Sequence, residues 1–566
     1  FLNGWDWEVA AVYSRSDGDY ERDTIPLNRV VAPLDGGGAI NVADPSSPLG
    51  YSCMYIPDEA FMDDDPSNDT YVSCPTTINY FGKDFLYGEL SDEEKAFLIA
   101  RDSGNTVYDQ LVLSGLVRGE LFELPAGKIG IAVGVEHREF SIDDQPGVYS
   151  ANGNQWGLSS AVQTKGEDKV SEIFTELEIP LLKGQTLAEE LTVNLSGRYF
   201  DYDSYGSDSV YKAGLNWQIV PSVRLRSTFG TSYRAPALYE LFLGNQTSFL
   251  GQTSIDPCID YQDSSNANLR ANCAAAGVPE NYQGLGSSAQ ITTGGGVDVL
   301  EAESSEALTV GFVVTPTFAD INIALDYFEI TVEDQVSRLG SGSILGGCYA
   351  SENFPNEFCS LFVRDTDPSS PSYLNILTVN DSYINVNSQT TRGLDLTGRY
   401  ELETKWGDLN FDIQGTWTFE DTVDLFDFDG EDTAFSTDDF NGTIGDPDFT
   451  ANARLQWVNG DWRYTWFTDF TSRASNDSLF DTGSATTYYG EDAYRKIYAE
   501  PQWYHGFSVQ YRADTWAVTA GIDNLFDEAP PAVTTGATTR RGIVPLVGTQ
   551  YDYRLRSGFL RVSKSF

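Results

Sequence analysis

The chain has 566 residues, with Lys+Arg 35 against Asp+Glu 84 and a formal net charge of −49. That charge excludes a general nucleic-acid binder, which needs cationic side chains to displace phosphate counterions. Only 2 histidines, His137 and His505, and no Gly-x-Ser-x-Gly motif leave little for a His-rich metal site or a hydrolase triad.

The composition calls for no cofactor. Hydrophobic residues at 41% are too many for a disordered chain. No apolar run reaches the roughly 18 residues of a transmembrane helix. The first residue is Phe1, with neither initiator Met nor signal peptide, so the chain reads as a processed or truncated product.

From the start onward the dominant signal is alternation with period two. In 191–199, Leu191, Val193, Leu195, Gly197 and Tyr199 alternate with Thr192, Asn194, Ser196 and Arg198. In 409–419, Leu409, Phe411, Ile413, Gly415, Trp417 and Phe419 alternate with polar residues. In chain order the predicted strands are 5–14, 109–119, 128–140, 170–180, 189–202, 209–219, 222–232, 299–314, 318–333, 388–403, 407–420, 449–458, 461–473, 500–512, 515–524 and 553–566. One helix interrupts them, where Ser91-Asp92-Glu93-Glu94 forms a capping box ahead of Lys95–Ala100.

Strands with one apolar and one polar face suit a soluble sandwich or a membrane barrel. Many of these runs exceed the usual five or six residues and match the roughly 9–11 that a tilted membrane strand needs. Trp and Tyr near strand ends, such as Trp7, Tyr199, Trp406, Trp462, Trp503 and Trp516, fit aromatic girdles. The connections favour the barrel. Long gaps (15–108, 141–169, 233–298, 334–387, 421–448, 474–499, 525–552) alternate with tight turns such as 220–221, 459–460 and 513–514. Residues 203–208 are the one short exception. The expected fold is therefore all-β, a transmembrane antiparallel β-barrel with long extracellular loops and short periplasmic turns.

All six cysteines lie in the long loops. Six allow fifteen connectivities, but their clustering favours Cys53–Cys74, Cys258–Cys273 and Cys348–Cys359, and an oxidising compartment. Loop 421–448 is strongly acidic and holds no basic residue. Asp427, Asp429 and Glu431 are Ca²⁺ candidates by charge, although they lack EF-hand spacing; the alternative is a solvated acidic face. Candidate solute contacts are Arg198, Arg224 and Arg392 on polar strand faces, with Tyr239, Phe249 and Tyr261 in the loops.

Several segments resemble those of TonB-dependent receptors, the gated outer-membrane transporters of Gram-negative bacteria. Ser232-Tyr233-Arg234-Ala235-Pro236-Ala237-Leu238-Tyr239-Glu240-Leu241-Phe242 is similar to the family's Arg-Ala-Pro…Glu-Leu-Phe segment. Leu300-Glu301-Ala302-Glu303, Thr391-Arg392-Gly393-Leu394-Asp395 and Asn524-Leu525-Phe526-Asp527 resemble later strand motifs, and the chain ends in Phe566 as family barrels do. Lys564 departs from the usual hydrophobic residue at its position. The motif residues Arg234, Pro236, Glu240, Asn524, Phe526 and Phe566 are expected to build the barrel and need not touch solute.

The resemblance implies a barrel of 22 strands filled by an N-terminal plug. About sixteen strands are present, so residues 1–566 read as the C-terminal part of one barrel, with the plug and first strands absent from this chain. The implied function is uptake of a scarce solute, of the ferric siderophore or oligosaccharide class, driven by TonB. The implied partners are outer-membrane lipid, a small solute and the TonB complex through the absent N-terminal region; nucleic acid is not one. The alternative is a passive porin or a surface-adhesion barrel. An enzyme is not expected.

Overall fold

The structure, a computed structural model, describes residues 4–30, 40–43, 51–57, 71–73, 82–157, 159–284, 286–385, 388–424, 438–475, 484–488, 491–495, 498–534, 543–545 and 551–565. Sixteen long strands form the wall. They are β1 (Asp6–Thr24), β2 (Ala100–Leu124), β3 (Gly127–Gln145), β4 (Thr164–Gln185), β5 (Ala188–Tyr202), β6 (Gly206–Val220), β7 (Val223–Arg234) and β8 (Glu303–Val314). Then follow β9 (Asp320–Glu333), β10 (Ser388–Thr404), β11 (Gly407–Asp424), β12 (Phe449–Asn459), β13 (Trp462–Thr471), β14 (Gln502–Arg512), β15 (Trp516–Asp523) and β16 (Ser557–Lys564). Each pairs antiparallel with the next in sequence, from β1–β2 to β15–β16.

Register separates the two faces. Ile131, Leu177, Leu195, Ala213 and Phe229 occupy one cross-strand row of β3–β7. The adjoining row on the opposite face holds Ala132, Glu176, Ser196 and Lys212. A transmembrane barrel turns the first row to lipid and the second to its lumen. On the lipid face, rings gather at two heights. Beside the short turns, Trp457 lies 5.0 Å from Tyr464, and Trp462 5.0 Å from Tyr511. Toward the long loops, Trp417, Phe449, Phe470 and Trp503 form a chain with contacts of 4.4, 5.6 and 4.3 Å. Trp462 to Phe470 is about 26 Å of strand at roughly 3.3 Å per residue, which a tilt of about 40° turns into a rise of roughly 20 Å, close to a bilayer's apolar band.

The turns have local causes. Gly460 takes φ 57 as the first residue of the two-residue turn Gly460-Asp461 between β12 and β13, where a hairpin turn calls for a positive φ. Pro125-Ala126 closes β2–β3 and Thr186-Leu187 closes β4–β5, so both turns are shorter than the sequence indicates.

The first four strands also run further than their hydrophobic alternation, β2 reaching 25 residues against an expected 109–119. Beyond Tyr13 and Leu111 the outward face carries charge instead of hydrocarbon. Arg15 pairs with Asp109 at 3.2 Å and Lys165 with Asp143 at 2.9 Å. The backbone ladder continues above the lipid where the apolar signal stops, because hydrogen bonding does not depend on side-chain polarity.

Candidate functional site

Two lobes built from the long loops roof the loop-side end of the lumen. The first is assembled on Asp102, a 3% exposed carboxylate on the lumen face of β2. It accepts hydrogen bonds from the backbone N–H of Tyr149 (3.1 Å) and Ser150 (3.2 Å) and from Gln155 Nε2 (2.9 Å). Arg29 reaches from the first long loop to donate to the Phe97 carbonyl at 2.9 Å and to Tyr149 Oη at 3.2 Å. The helix Asp92–Leu98 forms with the expected capping box, Ser91 with Glu94, and buries Phe97 and Leu98.

The second lobe, the cap, joins loops 235–302 and 334–387. Its four-stranded sheet runs Gln246–Gly251, Ser288–Thr293, Ile376–Asn380, Phe362–Arg364, and the two central strands, one from each loop, are parallel. Helices Ala267–Ala275 and Ser341–Ala350 cover one sheet face, burying Ile291, Ile344, Leu345, Ile376 and Val379. Disulfides Cys258–Cys273 and Cys348–Cys359 staple this core. Within it Arg364 makes a bidentate pair with Asp256 at 2.7 and 2.8 Å, its side chain 5% exposed and that of Asp256 0%. The expected Cys53–Cys74 pair lies outside the described side chains.

The Arg-Ala-Pro…Glu-Leu-Phe segment is the cap's hinge post. Arg234, the last residue of β7, holds Glu303 at the start of β8 through two bonds (2.7 and 2.5 Å) and Glu240 through two more (2.9 and 3.1 Å). Glu240 accepts the Ala237 N–H at 2.7 Å, and Glu303 that of Val336 at 2.8 Å. Pro236 ends the strand between them. From this post the loop crosses inward. Phe242 lies so close over Gly166 of β4 that a Cβ there would fall 2.1 Å from the ring. Gly244 N–H donates to Thr164 Oγ1 at 3.0 Å, and Thr247 N–H to the Ser160 carbonyl at 3.0 Å, which joins the cap to the loop after the first lobe.

Beneath the roof, Glu172 of β4 is wholly buried. It accepts from Arg138, from Arg198 Nη1 at 2.8 Å and from Tyr233 Oη at 2.7 Å, while Tyr233 stacks on Phe200 at 3.6 Å.

The candidate residues are therefore spread through the wall and roof. Arg198 is bound up with Glu172. Arg224 faces the lumen beside the short turns, donating to Gln218 at 2.7 Å. Arg392, expected on a polar face, instead shares the Leu394 and Leu396 face and pairs with Glu420 at 2.6 Å, so it stands on the outer surface. A polar residue can occupy the lipid-side parity there because that height lies at the end of the apolar alternation. Tyr261 is 3% exposed in the cap core, its hydroxyl donating to the Val278 carbonyl at 3.0 Å. Tyr239 and Phe249 are exposed at 43% and 55%. Asn524 takes φ 49 and bonds both ways with Glu528, and Phe526 stands 61% exposed near Trp466. Phe566, Asp427, Asp429 and Glu431 lie outside the described residues. Among the described residues no cluster of three His, Cys, Asp or Glu is placed to hold a metal ion.

Sequence reasoning did not reach Asp102, Glu172, Asp256 or Arg364. Each is an ordinary charged residue until distant segments fold onto it. The cysteine pairs on both cap loops were the one available signal.

Alternating faces, two aromatic belts and long loops opposite tight turns define a transmembrane antiparallel β-barrel. The chain belongs to the TonB dependent receptor-like β-barrel family, whose model matches residues 3–525. No curated protein matches the sequence. Similar solved structures include a mutant ferric enterobactin receptor (PfeA) from Pseudomonas aeruginosa, with TM-score 0.51, 16% identity, and coverage of 89% of this chain and 55% of that one. Another PfeA mutant, in complex with enterobactin, gives TM-score 0.51 at 15% identity over 89% and 56% of the two chains. The siderophore receptor PirA from Acinetobacter baumannii gives TM-score 0.51 at 14% identity over 84% and 57%. The chain thus spans little more than half the length of these receptors. Family and structural relatives are receptors rather than enzymes.

Proposed function

We propose that residues 1–566 form the C-terminal part of the barrel of an outer-membrane receptor that takes up a scarce solute. In this reading a plug and the first strands belong to the preceding part of the protein, and TonB drives transport through that part. The long loops face outward from a Gram-negative cell. The observation that carries the reading is the roof. Two ordered lobes pack on the lumen face of the wall at its loop-side end, and together they offer the surface on which a receptor first captures its solute.

The solute is of the ferric siderophore or oligosaccharide class. The relatives named for siderophores support the first. The state of three lumen arginines supports the second, while Arg224 keeps, among the described residues, only the neutral Gln218 as partner. Arg198 is neutralised by Glu172, Arg226 by Asp326 at 2.6 Å, and Arg454 by Asp412 at 2.8 Å. An anionic chelate would have to compete with these carboxylates.

The test is uptake by cells carrying the complete protein, with and without an energised TonB complex. Energy-dependent accumulation of a solute supports the receptor. Equal, unsaturable entry under both conditions would establish a porin instead.

A further inference from the structure

One face of the cap sheet is covered by helices; the other is open and carries a different chemistry. Register sets out its rows. Phe249 opposes Gln290, Gln290 opposes Thr378, and Thr378 opposes Val363, forming one line across all four strands. The next line, toward the barrel, is Thr247, Thr292 and Asn380. Neighbouring strands lie roughly 4.8 Å apart, so the first line is about 14 Å long. A cavity of about 380 Å³ sits on this face. Thr292, Thr378 and Asn380 supply part of its wall, and Asn245, Ser360 and Ser382 its polar edge.

None of the residues lining the cavity is charged, in a protein whose net charge is −49. Arg364, next in sequence to Val363, is turned to the far face by Asp256. Hydroxyls and amides both donate and accept, which suits the adjacent hydroxyls of a sugar and selects neither sign of charge. Ser382 Oγ donates to Asn380 Oδ1 at 2.8 Å, which fixes that amide and directs its N–H₂ protons elsewhere. At the ends of the long row stand two exposed apolar groups, Phe249 at 55% and Val363 at 53%. The electron-rich face of an aromatic ring attracts the polarised C–H bonds of a sugar ring. The volume lies within the roughly 300–1,000 Å³ typical of small-molecule sites.

We propose that this open face of the cap is a binding subsite for a neutral glycan, with Thr292, Thr378 and Asn380 bonding the hydroxyls of one sugar unit and Phe249 carrying the apolar face of a neighbouring unit. The subsite deepens the receptor reading, and rests on it, by naming a solute class for the outermost surface of the roof.

The experiment uses the complete protein in a detergent without a sugar headgroup. It is screened against an array of neutral tetrasaccharides (α- and β-glucans, mannans, xylans and galactans), with a ferric tris-catecholate as the anionic comparison. The expected result is roughly millimolar or better affinity for at least one glycan. Thr378→Val with Asn380→Leu should weaken it more than tenfold, and Phe249→Ala about tenfold. Both variants alter an exposed face, and unchanged hydrogen exchange of helix Ser341–Ala350 shows that the cap remains folded. The proposal is overturned if no neutral glycan binds, if binding is indifferent to these variants, or if the catecholate binds and loses affinity in them while glycans do not. The two readings fail separately. Energised uptake of another solute without glycan binding sinks only the subsite, whereas glycan binding without energised uptake sinks only the transporter.

Discussion

At the residue scale the chain is organised by buried carboxylates. Glu172 is wholly buried yet satisfied by two guanidiniums and a phenol. Removing one member of such a group leaves charge without a partner, at a cost of about 3–5 kcal/mol. Glu172→Ala is therefore expected to lower the thermal unfolding temperature of the detergent-solubilised protein clearly, and an unchanged temperature would refute a stabilising role. Asp381 of the cap behaves differently. It is 6% exposed and accepts the Gly340 N–H at 2.9 Å, and burial holds its carboxyl above the usual range. With the folded value above the unfolded one, the folded state keeps its proton longer. The contribution of Asp381 to the cap is then fully present at low pH and is lost as pH rises from the ordinary Asp value through the raised one. Asp381→Asn should protect helix Ser341–Ala350 from hydrogen exchange better than wild type at pH 7, and equally at acid pH. The opposite order at pH 7 would show that the ionised carboxylate is the favoured form.

At the element scale, local rules account for small pieces and long-range contacts for large ones. Ser91→Ala removes the side-chain acceptor of the Glu94 N–H and should cost about 1 kcal/mol, confined to helix Asp92–Leu98 and readable by exchange of its amides. The disulfide Cys258–Cys273 closes a sequence separation of 15, worth roughly 3 kcal/mol in the chain-entropy account. Replacing both cysteines by Ser should speed exchange throughout the cap and leave the wall strands untouched. Faster exchange in β4 or β7 as well would mean that the cap also supports the barrel rather than only resting on Arg234 and Phe242.

At the scale of the whole molecule, the two faces of the wall face different solvents. Leu195→Arg puts a guanidinium into lipid and is expected to destabilise the protein by about 2–4 kcal/mol if it lies at mid-bilayer. Ser196→Arg, one residue away, points into the lumen and should be tolerated. Equal effects on unfolding in lipid vesicles would contradict the face assignment. Strand parity carries a second consequence. β1 leaves the short-turn side and β16 returns to it, so the outer edges of the two strands run in opposite directions. Among the described residues no ladder joins them. In lipid such edges must be paired. Opposite directions allow direct pairing, or an even number of additional strands between them.

The sixteen strands, their order and, within the apolar band, their inward and outward faces were legible in the sequence; at the loop-side end of β10 the face of Arg392 was not. A membrane strand writes its environment into alternate residues, and tight turns write theirs into Asn-Gly and Val-Pro. The capping box was legible because it spans only Ser91 to Glu94. Where the environment ceased to be lipid the signal ceased too, and β2 continued unseen through Asp102. The site was much less legible. Arg198 and Tyr261 look like solute contacts in sequence, but a carboxylate 26 positions away (Glu172) holds the first and a disulfide core encloses the second. The cap exists because strand Ser288–Thr293 lies parallel to Ile376–Asn380, two segments on different loops with no shared periodicity. Sequence by itself determined the wall, since its rule is local and repeats every two residues. Only the tertiary structure decided the roof and its open neutral face, since these depend on which distant loops come to share one core.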